Sequence, residues 1–285
     1  MKTGLVITGS GLNGAFACGV LKPWIIDGVE FPLIVGSGFG ALCGAYYRAR
    51  QWDGLDAMYD RYFKEYAGGL RSAGVLWGED VAVNGAALFE SAKDVDMDAF
   101  RAASGSLLAA TTRADNGDGV FWRLDRISEE KMLTEFLRAT VSDPGHAAPV
   151  SLIEHSYFNG RFAEPLPISE ALAQGCDRLV VVHTKGANDL ATRKRLAPAQ
   201  SMALKDYPAL RNVMLMSHLR YNDELRLLHK LEQSGQALVV APLVNRTSYK
   251  RSGVTAKAVT EYYSEGLRHG ESVLRRVKAF LEANH

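Results

Sequence analysis

Two glycine-rich segments near the N-terminus hold the residues whose types and spacing could do chemistry. The first, Gly9-Ser10-Gly11-Leu12-Asn13-Gly14, follows the apolar run Leu5–Thr8 and precedes a stretch of helical apolar spacing. A glycine turn from a strand into a helix lets several backbone N–H groups converge on one concavity, where the positive helix end adds to their field; it is suited to holding an oxyanion. The same spacing suits a dinucleotide pyrophosphate, or a tight turn that needs glycine for its backbone alone. A dinucleotide site expects an acidic residue ~20 residues further on, at the end of the next strand. Here that strand ends instead in Gly36-Ser37-Gly38. The second segment, Gly36-Ser37-Gly38-Phe39-Gly40, has the outer glycines of a nucleophile elbow, a sharp strand-to-helix turn that lifts its middle residue above the sheet edge. The middle residue is Gly38, which has no side chain to attack with and relieves the strain a serine tolerates there. Ser37 is the nearest alternative nucleophile, but a shift of one residue at a strand end turns the side chain to the opposite face. Ser10 is expected to hydrogen-bond its own turn.

The elements that must position these segments are legible from periodicity. Leu5–Thr8 reads as a strand, Gly14–Asp27 as a helix, Phe31–Gly36 as a second strand and Ala41–Arg50 as a small-residue helix, a βαβα order that argues for a parallel sheet covered by helices. Trp52–Tyr66 continues as a helix, and a less regular stretch at about 67–95 suggests a cap or lid. Leu107–Thr112 and Val120–Trp122 read as a hairpin turning at Asp115–Asp118. Arg178–His183 and Val239–Ala241 are further strands. Between them Leu215, Leu219, Leu225, Leu228 and Leu231 mark a helix stopping at Gly235, and Val273, Leu274, Val277, Phe280 and Leu281 mark the last helix. These stripes are core-facing surfaces. With no internal repeat and no long linker, residues 1–285 are expected to form one domain, a three-layer α/β/α arrangement around a mostly parallel sheet. Its site should lie where the first two strands end.

A third segment completes the pattern: Asn159-Gly160-Arg161-Phe162-Ala163-Glu164-Pro165-Leu166-Pro167. With the glycine loop and the elbow it resembles the three motifs of the patatin-like phospholipases, and the chain is most similar to their bacterial YjjU-like subfamily. The stretches Ile168–Val182, Asp206-Tyr207-Pro208 and Arg220-Tyr221-Asn222 extend the resemblance over nearly the whole chain. The resemblance implies that a serine at position 38 would attack an acyl ester, an aspartate at position 159 would accept its proton, and the glycine loop would stabilise the tetrahedral oxyanion. Gly38 and Asn159 replace that dyad. An amide cannot take up a proton near neutral pH, so Asn159 could orient a water but not serve as a general base. Asn13 replaces a basic residue beside the loop, and Arg161 fills a position usually small. Deamidation at Asn159-Gly160 would restore a carboxylate but no nucleophile. His155 and His183 are the histidines nearest the third motif, and neither has a partner at recognisable spacing.

Composition narrows the classes. The 285 residues are 47% hydrophobic and 23% charged, as in a soluble globular protein, and 33 Lys plus Arg against 32 Asp plus Glu give no electrostatic reason to expect nucleic acid. Cys18, Cys43 and Cys176 are scattered and read as buried thiols of a reduced, cytoplasmic protein; no spacing supports a metal site, and no cofactor is expected. No stretch reaches the ~20 apolar residues of a membrane span. Lys185, Arg193, Lys194, Arg195 and Lys205 fall in an expected exposed loop that could touch anionic headgroups peripherally. The sequence therefore favours an inactive acyl-hydrolase scaffold that binds an acyl or lipid-like ligand or a protein partner. The alternatives are a weak or altered hydrolase using Ser37, and an assembly role with the pocket filled by Phe39 or Arg161. The oligomeric state is not legible.

Overall fold

The computed structural model describes residues 1–9, 13–64, 90–145, 147–193, 195–196, 198–243 and 256–283. Strand β1 (Thr3–Ile7) leads into helix α1 (Gly14–Ile26), β2 (Leu33–Ser37) into α2 (Phe39–Arg48), and α3 (Trp52–Met58) continues as a π-helical segment, Tyr59–Lys64. After α4 (Met97–Ala102), β3 (Ser106–Arg113) and β4 (Gly119–Arg123) form the expected hairpin, followed by α5 (Glu130–Val141), β5 (Val150–Leu152) and β6 (His155–Asn159). The rest is α6 (Ile168–Ala173), β7 (Arg178–Val182), α7 (Pro198–Ala203), α8 (Pro208–Gln233), β8 (Ala237–Val240) and α9 (Ala256–Glu282). Most of the expected cap or lid, residues 67–89, lies outside the described residues.

Five strands, in the order β3-β2-β1-β7-β8, are parallel, and β4, β5 and β6 add antiparallel pairs at the β3 side. Side-chain alternation sends the two residue sets of each strand into separate cores. Leu5, Ile7, Ile34, Leu107, Ala109, Val180 and Val182 pack with α1, α2, α5 and α9 on one face. Val6, Leu33, Val35, Leu108, Leu179 and Val181 pack with α6 and α8 on the other. This is the expected three-layer α/β/α architecture around a mostly parallel sheet. All three cysteines are free and buried, and no helix among the described residues is long and apolar enough to cross a membrane.

The structure corrects the expected stripe of α8. Its buried apolar residues are Leu210, Met214, Tyr221, Leu225, Leu228 and Leu231, whereas Leu215 is half-buried and Leu219 is 54% exposed. Leu215 and Leu219 point about 100° and about 140° away from Met214 around the helix, whereas Tyr221 and Leu225 lie within about 20° of it. The cationic stretch is not one exposed loop either. Arg193 and Arg195 are exposed, Lys185 is half-buried, part of the segment forms α7, and Lys194 lies outside the described residues.

Candidate functional site

Gly38 stands alone between the end of β2 and the start of α2, with φ 59° and ψ −133°. Positive φ with this ψ lies outside the regions a side chain enters without strain, and it is the sharp strand-to-helix turn expected of an elbow. The turn closes when Ala41 N–H donates to the Gly38 carbonyl at 3.0 Å. A Cβ placed on Gly38 would lie 2.7 Å from the Gly9 carbonyl oxygen, 3.0 Å from Asn159 Oδ1 and 3.4 Å from the Arg161 Cβ. The glycine loop, the elbow and the third motif thus converge on the space where a side chain at position 38 would begin. Loop and elbow touch through backbone: a Cβ on Gly9 would meet the Gly40 nitrogen at 2.8 Å, and one on Gly40 would run into the Ile7 carbonyl.

Sheet register explains how a residue far along the chain reaches this point. Strand β3 is longer than β2: Ser37 pairs with Ala110, and the next residue of β3, Thr111, pairs with Asn159. Strand β4 occupies the other edge of β3, opposite both. Strand β6 therefore takes up the ladder beyond the end of β2, delivering Asn159 to the elbow. Its backbone is fixed as Asn159 N–H donates to Ser142 O at 2.8 Å and Thr112 Oγ1 donates to Asn159 O at 2.9 Å.

The Asn159 amide is committed at both ends. Nδ2 donates to Asp143 Oδ1 at 2.7 Å, and Oδ1, the atom facing Gly38, accepts from Arg161 N–H at 3.0 Å. Arg161 Nη2 pairs with Asp143 Oδ2 at 2.7 Å, while its guanidinium lies 4.6 Å from the Phe162 ring centre. Asp143 is thus a carboxylate beside Asn159, its oxygens engaged by an amide and a guanidinium. Nothing in the sequence pattern singled it out, because it follows α5 in an ordinary Ser-Asp-Pro-Gly turn.

The remaining candidates are dispersed. Ser37 is 1% exposed, shares the strand face of Leu33 and Val35, and its Oγ has no hydrogen-bond partner among the described residues. Gly36 lies directly against the first turn of α2, where an added Cβ would strike Ala41. Asn13 is buried at the start of α1 without capping it through its side chain, and Gly14 is the first residue of that helix. Ser10 and Gly11 lie outside the described residues. Phe39 is buried in the core with α1 and α5. His155 sits in a surface cluster with Arg113 and Asp115.

A cavity of about 90 Å³ opens beside Gly9 and Arg161, bounded by the ends of β1 and β7 and by α8. His183, on its wall, is buried; its Nε2 meets the Tyr221 hydroxyl at 3.0 Å and the two rings stack. Burial, aided by the charge of Lys185, pushes the His183 imidazole down to about 3, so it is neutral at physiological pH. Burial likewise holds the Tyr221 phenol well above its ordinary value. In the third motif, burial lifts Glu164 to about 7 against the opposing charge of Arg220, 2.6 Å away. Sequence patterning found neither the cavity nor the His183–Tyr221 pair, since their residues come from segments 38 positions apart.

The arrangement brings the Gly9 carbonyl and the Asn159 amide to the apex of the turn, where position 38 carries no hydroxyl. Residues 207–282 match a family described only as a domain of unknown function (DUF6363). Among solved structures the chain is similar to VipD from Legionella pneumophila at 11% identity, covering 96% of this chain and 67% of that one, with a TM-score of 0.44.

Proposed function

We propose that this protein uses a patatin-like scaffold to bind an acyl or lipid-like ligand without hydrolysing an ester. The carrying observation is Gly38: it keeps the backbone of a nucleophile elbow while its missing side chain would point at Asn159 Oδ1, 3.0 Å from where a Cβ would lie. The three motifs that resemble the patatin-like phospholipases converge there, so the resemblance and the geometry support one reading. Acyl transfer needs a nucleophile and a group to take its proton; glycine supplies neither a hydroxyl nor a thiol, and the Asn159 amide is not a base. Ser37 cannot replace position 38 without rebuilding the turn, since it is buried on the other strand face.

The test is hydrolysis of a short activated ester and of a phospholipid by wild type, by Ser37→Ala, by the double variant Gly38→Ser/Asn159→Asp, and by that variant with Asp143→Asn added. The triple variant matters because a carboxylate at position 159 would face Asp143, which now accepts a 2.7 Å hydrogen bond from the amide. Two adjacent carboxylates raise the pKa of one of them. A silent wild type with turnover in the double or triple variant is the expected result. Turnover by wild type that disappears in Ser37→Ala defeats the proposal.

A further inference from the structure

We propose that the cavity between the ends of β1 and β7 and helix α8 receives a neutral group carrying neighbouring hydroxyls, of the kind a small polyol presents. The proposal rests on the ligand-binding reading above and deepens it by naming the polar group that the ligand carries.

The cavity lies where the sheet topology leaves room. From β1 the chain passes through α1 to β2 on one side, and from β7 it passes through α8 to β8 on the other, so these two adjacent strands send their connections apart. Helix α1 packs in one core and α8 in the other. The crevice beyond the carboxyl ends of such a strand pair is the general ligand position in an open α/β sheet. Thr8 and Gly9 after β1, and His183 and Thr184 after β7, line the cavity.

What the wall presents follows from where its hydrogens go. Thr8 Oγ1 donates to Val182 O at 3.4 Å, and Ser217 Oγ donates to Met214 O at 3.1 Å. His218 Nδ1 lies 3.1 Å from Leu215 O; a carbonyl only accepts, so Nδ1 carries the ring proton. In the neutral ring Nε2 is then a bare acceptor. Ser217 and His218 are consecutive, half-buried residues of α8 that both line the cavity, and neither Ser217 Oγ nor His218 Nε2 has a further partner among the described residues. They offer a ligand lone pairs rather than hydrogens.

That wall selects among polar groups. A carboxylate or a phosphate dianion has no hydrogen to give to Ser217 and His218. An ammonium group has hydrogens, but among the described residues it meets Arg161, Lys185 and Arg195 in the wall and no aspartate or glutamate. A hydroxyl donates and accepts at one atom. It gives its hydrogen to His218 Nε2 or Ser217 Oγ, and its oxygen is not repelled by the cations. Two acceptors from consecutive residues call for two neighbouring hydroxyls. The volume sets the size: about 90 Å³ has room for roughly six water-sized groups, which is about the size of glycerol. Phe162, Pro165, Leu196 and Met214 supply an apolar side for the carbon atoms.

The test uses the full chain at about pH 8, above the ordinary histidine range, and three soluble probes: glycerol, 1-monohexanoylglycerol and ethyl hexanoate. Binding is followed by NMR at the His218 ring nitrogens. Ser217→Ala and His218→Phe are compared with Ser272→Ala, since Ser272 makes the same bond to the carbonyl three residues back on α9, outside the cavity. The expected result is saturable binding of a hydroxyl probe that shifts the His218 Nε2 resonance, weakens ~5-fold or more for each cavity substitution, and is unchanged in Ser272→Ala. With that pattern, tighter binding of 1-monohexanoylglycerol than of glycerol identifies an acylated headgroup as the source. Equal binding of the two supports a free polyol and defeats the acyl reading while the hydroxyl site stands. Ethyl hexanoate binding as tightly as 1-monohexanoylglycerol, no binding of either hydroxyl probe, or binding indifferent to Ser217 and His218 overturns the proposal.

Discussion

Replacing Gly38 with alanine tests the elbow geometry without asking for catalysis. The backbone at φ 59°, ψ −133° is one that side chains occupy at a cost of ~1–3 kcal/mol. The added Cβ would also lie 2.7 Å from the Gly9 carbonyl oxygen, a backbone atom that must shift to accommodate it. Gly28 is the internal control: it has φ 72° and nothing within 4 Å of an added Cβ, so alanine there should cost only the ~1–2 kcal/mol of a left-handed residue. Gly38→Ala should therefore cost about 3–4 kcal/mol in all, roughly 2 kcal/mol more than Gly28→Ala. With an unfolding entropy of roughly 2.1 cal/mol/K per residue, 285 residues give about 0.6 kcal/mol per degree. The Tm should then fall by about 5–7 °C for Gly38→Ala and about 2–3 °C for Gly28→Ala, read by calorimetric or circular-dichroism melting. Equal losses, or a larger loss at Gly28, would refute the elbow conformation and with it the convergence on position 38.

Asp143→Ala should destabilise by about 2–4 kcal/mol in denaturant titration, because it removes the acceptor that the Arg161 guanidinium and the Asn159 amide share; a loss under 1 kcal/mol would show that the network is not held. His183 has a folded-state value of about 3 against 6.5 for the free group, so the unfolded chain binds the extra proton between those limits. Its contribution falls by roughly 1.4 kcal/mol per pH unit as pH drops from 6.5 toward 3, and His183→Gln should flatten that limb of the stability profile. Glu164 works in the opposite sense. Its folded-state value of about 7 exceeds 4.5, so its contribution is present below 4.5 and lost as pH rises to 7. The two slopes oppose each other between 4.5 and 6.5, and Glu164→Gln should reveal the His183 slope there as a steeper loss toward acid.

The elements that frame the elbow were legible because their signals are local. Short apolar runs closed by glycine mark β1 and β2, and the Asp115–Asp118 turn marks the β3–β4 hairpin. The π-helical end of α3 and the true phase of α8 were not, since Leu215 and Leu219 are as apolar as the residues that face the core. The site was legible only as motif positions. Gly38 and Asn159 do come together, but what holds the amide is Asp143, a turn residue whose role depends on β6 pairing beyond the end of β2. The cavity escaped for the same reason. Thr8, Arg161, His183 and Tyr221 become neighbours only through the parallel β1–β7 pair and the packing of α8, and no spacing along the chain encodes that.

The overhang of β3 past β2 has a consequence for how the protein folds. Positions 38 and 159 are separated by most of the first half of the chain, and they meet through a ladder of three residues, Thr111 to Arg113, paired with Asn159 to Tyr157. With β3 in place beside β2, the loop left to close runs from Arg113 to Tyr157, and its entropic cost is poorly offset by so few backbone bonds. The β1–β2–β3 sheet can form first and leave the elbow incomplete. The site is then completed only when β6 joins the overhang, so amide exchange at Thr112, on the edge of β3 that faces β6, should outpace exchange at Ala110, on the same edge facing β2.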